Sequence, residues 1–293
     1  MIAAIDAAAA RRGRRRNTHA SPVAGEIAKR LDERLDIMKL TPATVLETSH
    51  GDGVSLKALR RRYPKADIVV AGDAAAAVPR TSRGIGAFVR RIVGAEGGTL
   101  RIRGSVAELP LADASIDFVW SNLGLAYVAD PLPALREAAR ALKSGGLLMF
   151  STLGPDTLKE MRAAFRQADP AYPHVHDFID MHDLGDMLIA CGLTAPVMEM
   201  ERIVFTYQDV NALAADLRAV GMTNALAARR RGFTGRRLWQ RFKDAYAGFS
   251  QEHRLPATFE VVYGHAWKPA PPAAAAHTPQ VVKFYPPASR RGA

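Results

Sequence analysis

At 293 residues, 48% of them hydrophobic, the chain is long enough to bury one large α/β core or two smaller ones. No apolar run approaches the ~20 residues of a membrane span, and the single cysteine, Cys191, excludes an internal disulfide or a cysteine-cluster metal site. The net charge of +11 favours a polyanionic partner: nucleic acid, a membrane surface or an acidic protein.

Residues 1–22 are rich in alanine and arginine, with Asp6 as their one acid, and read as an unstructured basic tail. Such a stretch suits a cytoplasmic bacterial protein, or, as the alternative, a transit peptide to the mitochondrial matrix. Residues 23–40 place Ile27, Leu31, Leu35 and Met38 at helical spacing, which predicts an amphipathic helix ending before Pro42. ATVLE then reads as a buried strand, GDGVSLKALRRRYP as glycine loop and helix, and ADIVVAGD as a second strand. Strand, glycine turn, helix and strand form a βαβ unit, which implies a parallel sheet. Residues 74–98 carry no clear element.

TLRIRGS, IDFVWSN and KSGGLLMFSTLG supply three further strands. Between the last two, LPALREAARAL aligns Leu132, Leu135, Ala139 and Leu142 on one helical face. This alternation predicts a doubly wound, Rossmann-like α/β sheet. Beyond residue 155, TLKEMRAAFRQAD and DMHDLGDMLIACG are helical, APVMEMERIVFTY is a strand, residues 209–254 are helical and basic, and TFEVVYGHAWK is a closing strand. A helical insert at about 208–255 is thus expected over the carboxyl edge of the sheet, where open α/β sheets bind ligands. The folded region is expected to span 23–268, followed by an unstructured Pro/Ala tail at 269–293.

The succession VLETSHGDG, VVAGD and AELPLADASIDFVWSNLGLAYVADPLPALREAARALKSGGLLMFSTLGPDTL resembles the class I S-adenosylmethionine-dependent methyltransferases, of the methyltransferase type 11 family. More narrowly, LPLADASIDFVWSNL, FSTLGPDTLKEMR and FEVVYGHAW resemble the malonyl-acyl-carrier-protein O-methyltransferases of biotin biosynthesis, from about Ala28 to Trp267. The resemblance implies a seven-stranded sheet with the last strand antiparallel. It implies S-adenosyl-L-methionine as cofactor, and methylation of the free carboxylate of a malonyl thioester carried by a small molecule or by acyl carrier protein. Two alternatives stay open. One is a methyltransferase acting on another small acid. The other is a catalytically weak binding or assembly factor, since mitochondrial complex I assembly factors share the fold.

Residue by residue, the resemblance implies a cofactor site made of Glu47 at the end of the first strand, Gly51 and Gly53 as the second and third loop glycines, and Asp73 holding the ribose hydroxyls. Ser49 stands where the first glycine is expected. If its backbone needs a positive φ, a serine costs about 1–2 kcal/mol; if the glycine only leaves room, the cost falls on cofactor affinity. Ser105 stands where an adenine-facing aspartate is expected, with Val106 and Ala107 beside the ring. Asn122 and Tyr127 follow the fourth strand and are implied to face cofactor and acceptor, which makes them the candidate catalytic residues.

A carboxylate acceptor is already ionised at pH 7, so alignment and desolvation suffice and no metal or strong base is needed. His174, His176 and Asp177 in PHVHDF accordingly read as a loop. Arginine is suited to clamping carboxylates, and Arg218, Arg229, Arg230 and Arg231 are the candidates for substrate or partner. The 229–254 patch, with Phe233, Trp239 and Phe242 interleaved, suits an acidic carrier protein; nucleic acid ranks lower, because no RNA-binding module motif is present.

Overall fold

The computed structural model describes residues 4–15, 21–49, 53–72, 98–126, 128 and 130–270. Seven strands form one sheet in the order β3-β2-β1-β4-β5-β7-β6. They are β1 (Thr44–Glu47), β2 (Asp67–Ala71), β3 (Thr99–Ile102), β4 (Ile116–Asn122), β5 (Leu142–Leu153), β6 (Thr194–Tyr207) and β7 (Leu255–Trp267). The first five are mutually parallel, and β7 runs antiparallel to both β5 and β6. The doubly wound sheet with an antiparallel last strand is therefore present as expected.

Strands β1, β2, β4, β5 and β7 are buried nearly throughout because both faces of the sheet are covered there, whereas the edge strands β3 and β6 are partly exposed. Val45, Ile68, Phe118 and Trp120 pack on one side with Ile27 and Leu31 of α2 (Pro22–Glu33). Leu46, Val69, Val119 and Leu148 pack on the other, with Leu135 of α4 (Leu132–Ala141) and Leu184 of α6 (Met181–Ala190). Helix α2 starts where Ser21 Oγ accepts the N–H groups of Val23 and Ala24 at 3.1 and 3.4 Å. It stops at Glu33, short of the expected residue 40, and a tighter 3-10 turn occupies Arg34–Ile37.

Two sequence blocks owe their composition to anchoring. Arg140 of α4 donates to the carbonyls of Leu111 and Leu109 at 2.8 and 3.2 Å, and Glu137 accepts the N–H of Leu109 at 2.9 Å. The LPLAD loop is thereby fastened across the sheet edge. Asp117 of β4 accepts from Lys143 at 2.7 Å and from the N–H of Thr44 at 2.8 Å. Burial opposes its charge, but these donors outweigh it and hold Asp117 below the usual carboxylate range.

Strand β5 ends at Leu153, level with Val261 of β7 and Glu201 of β6. Residues 202–207 and 255–260 stay paired beyond that point, a two-stranded ribbon that projects roughly 20 Å past the parallel strands at about 3.4 Å per residue. It carries the insert, made of α7 (Val210–Ala219) and α8 (Arg236–Ala247). The expectation of helix throughout 209–254 is corrected. Gly221, at φ +75°, donates to the Arg218 carbonyl and Met222 to that of Leu217, a left-handed closure that ends α7 and leaves 220–235 irregular.

The N-terminal expectation is corrected as well, because Ala7–Arg15 form helix α1. Asp6 caps it, accepting from the N–H groups of Ala8 and Ala9 at 3.0 Å. The alanines that made the stretch look like a tail are strong helix formers, and Ala9 and Ala10 are small enough to pack against Ala225 of the insert. Ile5 bridges Leu226. The expectations for 74–97 and for most of the C-terminal tail, 271–293, fall outside the described residues. Among those described, no helix is long and apolar enough to cross a membrane.

Candidate functional site

The site lies at the carboxyl ends of β1 and β4, which are neighbours in the sheet. Glu47, the last residue of β1, is buried, and its Oε1 accepts the N–H of Ser49 at 2.8 Å. Thr48 donates its N–H to the Trp120 carbonyl at 2.9 Å. Ser49 Oγ accepts the N–H of Asn122 at 2.8 Å. The start of the loop after β1 is therefore stitched to the end of β4 through Thr48 and Ser49. Ser49 is not among the non-glycine residues of positive φ, so the strain considered for a serine there does not arise. Gly53 caps α3 (Val54–Arg62) at φ +76°, with open space where a Cβ would stand. Conformation, not room, requires glycine at that position.

A second glycine matters for the opposite reason. A Cβ on Gly124 would stand 2.4 Å from both the Thr48 carbonyl oxygen and Ser121 Oγ. The turn after β4 thus lies directly on the β1 loop. Beside this contact a pocket is lined by Leu46, Thr48, Val106, Ser121, Leu125 and Ala138. Ser121 Oγ is buried and has no hydrogen-bond partner among the described residues. An orphaned hydroxyl, a buried carboxylate at the strand end and an apolar pocket wall fit a ligand that is apolar in part and carries hydroxyl and amine donors.

The expected site residues separate into three groups. Glu47, Ser49, Gly53 and Val106 lie around this loop and pocket; Ser105 is exposed beside them, its Oγ accepting the N–H of Ala107 at 3.2 Å, and Ala107 is half-buried. Gly51, Asp73 and Tyr127 lie outside the described residues. Asn122 is corrected from a ligand-facing residue to a scaffold residue. It is 1% exposed, its Nδ2 donates to the Ala24 carbonyl at 3.2 Å, and its Oδ1 accepts from Ser151 Oγ at 2.7 Å. Both ends of the amide are spent on joining α2, β4 and β5.

A second cleft opens past the ends of β4 and β5 between Leu125, Ala126, Thr152, His176 and Phe178, with Ile5 also lining it. Leu125 is the wall it shares with the first pocket. His176 is buried, and its Nε2 accepts the N–H of Ala225 at 2.9 Å, which requires the neutral ring. Burial pushes its pKa down to about 4, against the pull of Asp177. Arg162 of α5 (Lys159–Ala168) donates to the carbonyls of Pro155 and His176 at 2.9 and 2.8 Å, fixing this wall. Thr157 donates to the Glu260 carbonyl at 3.1 Å, and Thr258 donates its N–H to Glu160 at 3.0 Å. The blocks FSTLGPDTLKEMR and FEVVYGHAW are therefore facing halves of one lock.

The arginine run is corrected in part. Arg229 pairs with Asp6 at 2.9 Å, Arg231 approaches the same carboxylate at 3.4 Å, and Arg230 grips Asp169 through two bonds of 2.9 and 2.7 Å while lying over the Tyr172 ring. Arg230 first, with His174 adding to it, holds Asp169 down to about 2. Arg229 and Arg230 are fasteners paired with Asp6 and Asp169, whereas Arg231 is exposed and only shares the Asp6 carboxylate that already holds Arg229. Arg218 is exposed on the last turn of α7. Phe242 is likewise a core residue, fully buried and stacked 3.8 Å from Phe165. Among the described residues no group of three or more His, Cys, Asp or Glu is placed to hold a metal ion.

Sequence reasoning missed Gly124 and Ser121. The glycine directly after the IDFVWSN strand was the available signal, because a glycine at a strand end often marks a close backbone approach.

A methyltransferase domain family matches residues 46–150. The malonyl-acyl-carrier-protein O-methyltransferase of Laribacter hongkongensis is 47% identical over 248 residues, spanning 84% of this chain and 82% of that protein. The enzyme of the same name from Nitrosospira multiformis is 44% identical over 254 residues, spanning 84% and 82%. Among solved structures, the YcgJ protein of Bacillus subtilis superposes with a TM-score of 0.52 at 15% identity, over 84% of this chain and 99% of its own. That likeness is one of fold.

Proposed function

We infer the activity from the family: the chain belongs to the malonyl-acyl-carrier-protein O-methyltransferases, and it methylates the free carboxylate of a malonyl thioester on acyl carrier protein, using S-adenosyl-L-methionine. The observation that carries this reading is identity of 47% over 248 residues, a length that extends well beyond the 46–150 match to the methyltransferase domain family. The product, a methyl ester that masks one carboxylate, is the intermediate expected in biotin biosynthesis.

When bound, S-adenosyl-L-methionine supplies a methyl group on a cationic sulfur, open to in-line attack by the acceptor oxygen. The chain's own residues need only bind and align. Glu47, Thr48, Gly53, Ser121 and Val106 would hold the donor, a reading supported by the pocket that Thr48, Val106 and Ser121 line; Leu125 lines both that pocket and the second cleft, where the acceptor would lie. The walls of that cleft, Leu125, Ala126 and Phe178, exclude water and so strip the acceptor carboxylate of solvent that would blunt its attack. Thr152 and neutral His176 offer the polar contacts that orient it.

The alternative of a binding or assembly factor drew its support from the altered glycine loop. With Ser49 in unstrained backbone and bonded to β4, backbone strain lends that alternative no support. Calorimetric titration with S-adenosylmethionine and S-adenosylhomocysteine tests the donor site; absence of binding near millimolar would sink the enzyme reading. Rescue of a biotin-requiring strain tests the acceptor, and failure despite good expression would remove the malonyl assignment.

A further inference from the structure

We propose that the first half of α8 and the loop 231–235 before it are the docking surface for the acidic carrier protein, an inference that rests on the activity assigned above. The basic segment 224–254 divides in two. Arg229, Arg230 and Arg231 are engaged by Asp6 and Asp169. Arg236, Arg237 and Arg241 are exposed and make no ion pair among the described residues. At 100° per residue these three side chains fall within an arc of roughly 140° on α8. The opposite arc holds Phe242 and Tyr246, both fully buried. The one acid on the outer arc, Asp244, accepts from Gln240 at 2.7 Å. The result is a helix with a core face and an outer arc that carries three arginines against one carboxylate.

Beside that end stands Phe233, as exposed as a free side chain at 101%, between Gly232 and Gly235. A solvent-exposed aromatic flanked by unpaired arginines is the composition found at protein–protein hot spots. A phosphate backbone alone would leave the phenyl ring with nothing apolar to cover it, whereas the helical surface of an acidic protein offers both charge and apolar contact; a single-stranded nucleic acid, whose bases stack on aromatic rings, is the competitor that the test separates.

The surface is coupled to the acceptor cleft through packed rings. Phe242, on the inner face of α8, stacks on Phe165 at 3.8 Å, and Phe165 stacks on His174 at 3.9 Å. His174 lies two residues from His176, which lines the cleft. A carrier seated on α8 therefore rests on a helix packed against α5, whose Phe165 stacks on His174, two residues before the cleft-lining His176.

The test compares full-length wild type with Arg236→Glu/Arg237→Glu and with Phe233→Ala. Methylation is measured on malonyl-carrier protein and on malonyl-N-acetylcysteamine, a thioester with no carrier. Binding of fluorescently labelled holo-carrier is measured by anisotropy, independently of turnover. Both variants should raise the KM for the carrier substrate about tenfold or more and weaken anisotropy binding in parallel, with kinetics on the short thioester unchanged. The wild-type advantage should shrink as salt is raised. Carrier binding equal in wild type and variants would overturn the proposal. So would equal losses on both substrates, or loss of binding to a labelled single-stranded RNA while carrier binding persists. Carrier binding by a wild-type protein that methylates neither substrate would count against the assigned activity and leave the docking surface supported.

Discussion

Ser49 Oγ accepts the backbone N–H of Asn122 at 2.8 Å. The serine that stands in the first glycine position of the loop is therefore a tie between β1 and β4. Replacing it by glycine should remove the tie and cost about 1 kcal/mol of stability, read from urea denaturation. Affinity for S-adenosylhomocysteine should stay within about threefold of wild type, because the serine backbone is unstrained. A gain of about tenfold in affinity on Ser49→Gly would show instead that the side chain crowds the ligand.

Gly124 predicts a sharper effect. The Cβ of Gly124→Ala would overlap the Thr48 carbonyl oxygen and Ser121 Oγ, and a strand-end backbone cannot retreat cheaply. Destabilisation of about 1–3 kcal/mol is expected, together with loss of cofactor binding as Thr48 is displaced. Calorimetry at a temperature where the variant is still folded separates the two effects. Unchanged affinity would place the donor pocket elsewhere.

For Asn122 the account predicts a loss of stability that outweighs any change in ligand affinity. Asn122→Ala leaves the Ala24 carbonyl without its side-chain donor and Ser151 Oγ without its acceptor, at a cost of about 2 kcal/mol. A variant of normal stability that no longer binds S-adenosylhomocysteine would restore Asn122 to the role of a ligand contact.

His176 sets an acid limit. Its pKa is near 4 in the folded protein, against an ordinary value of 6.5, so the folded state takes up its proton later than the unfolded chain. Its contribution to stability is complete above about pH 6.5 and is lost as pH falls toward 4, to a total of roughly 3 kcal/mol. His176→Gln keeps an acceptor for the Ala225 N–H but cannot titrate. Its unfolding free energy should vary less between pH 6.5 and 4 than that of wild type, and matching slopes would contradict the assignment.

The features readable in the sequence were those set by local pattern. The βαβ unit from Thr44 to Ala71, the helix at Leu132–Ala141 and the long strands β6 and β7 each announce themselves by apolar periodicity and a bounding glycine or proline. What was not readable depends on partners remote in the chain. Arg229 looks free until Asp6 is folded against it from 223 positions away, and Ser49 looks misplaced until Asn122 arrives from 73 positions away. The N-terminal helix was missed for the same reason, since alanines count as core only once Ala225 is beside them.

The most direct measurement of the central claim uses purified protein, malonyl-acyl carrier protein and methyl-labelled S-adenosyl-L-methionine. The account predicts label transferred to the carrier as a base-labile methyl ester, equimolar with the S-adenosylhomocysteine formed, and no transfer to carrier bearing an acetyl group in place of malonyl. Absence of transfer, or label in a base-stable position, would contradict it.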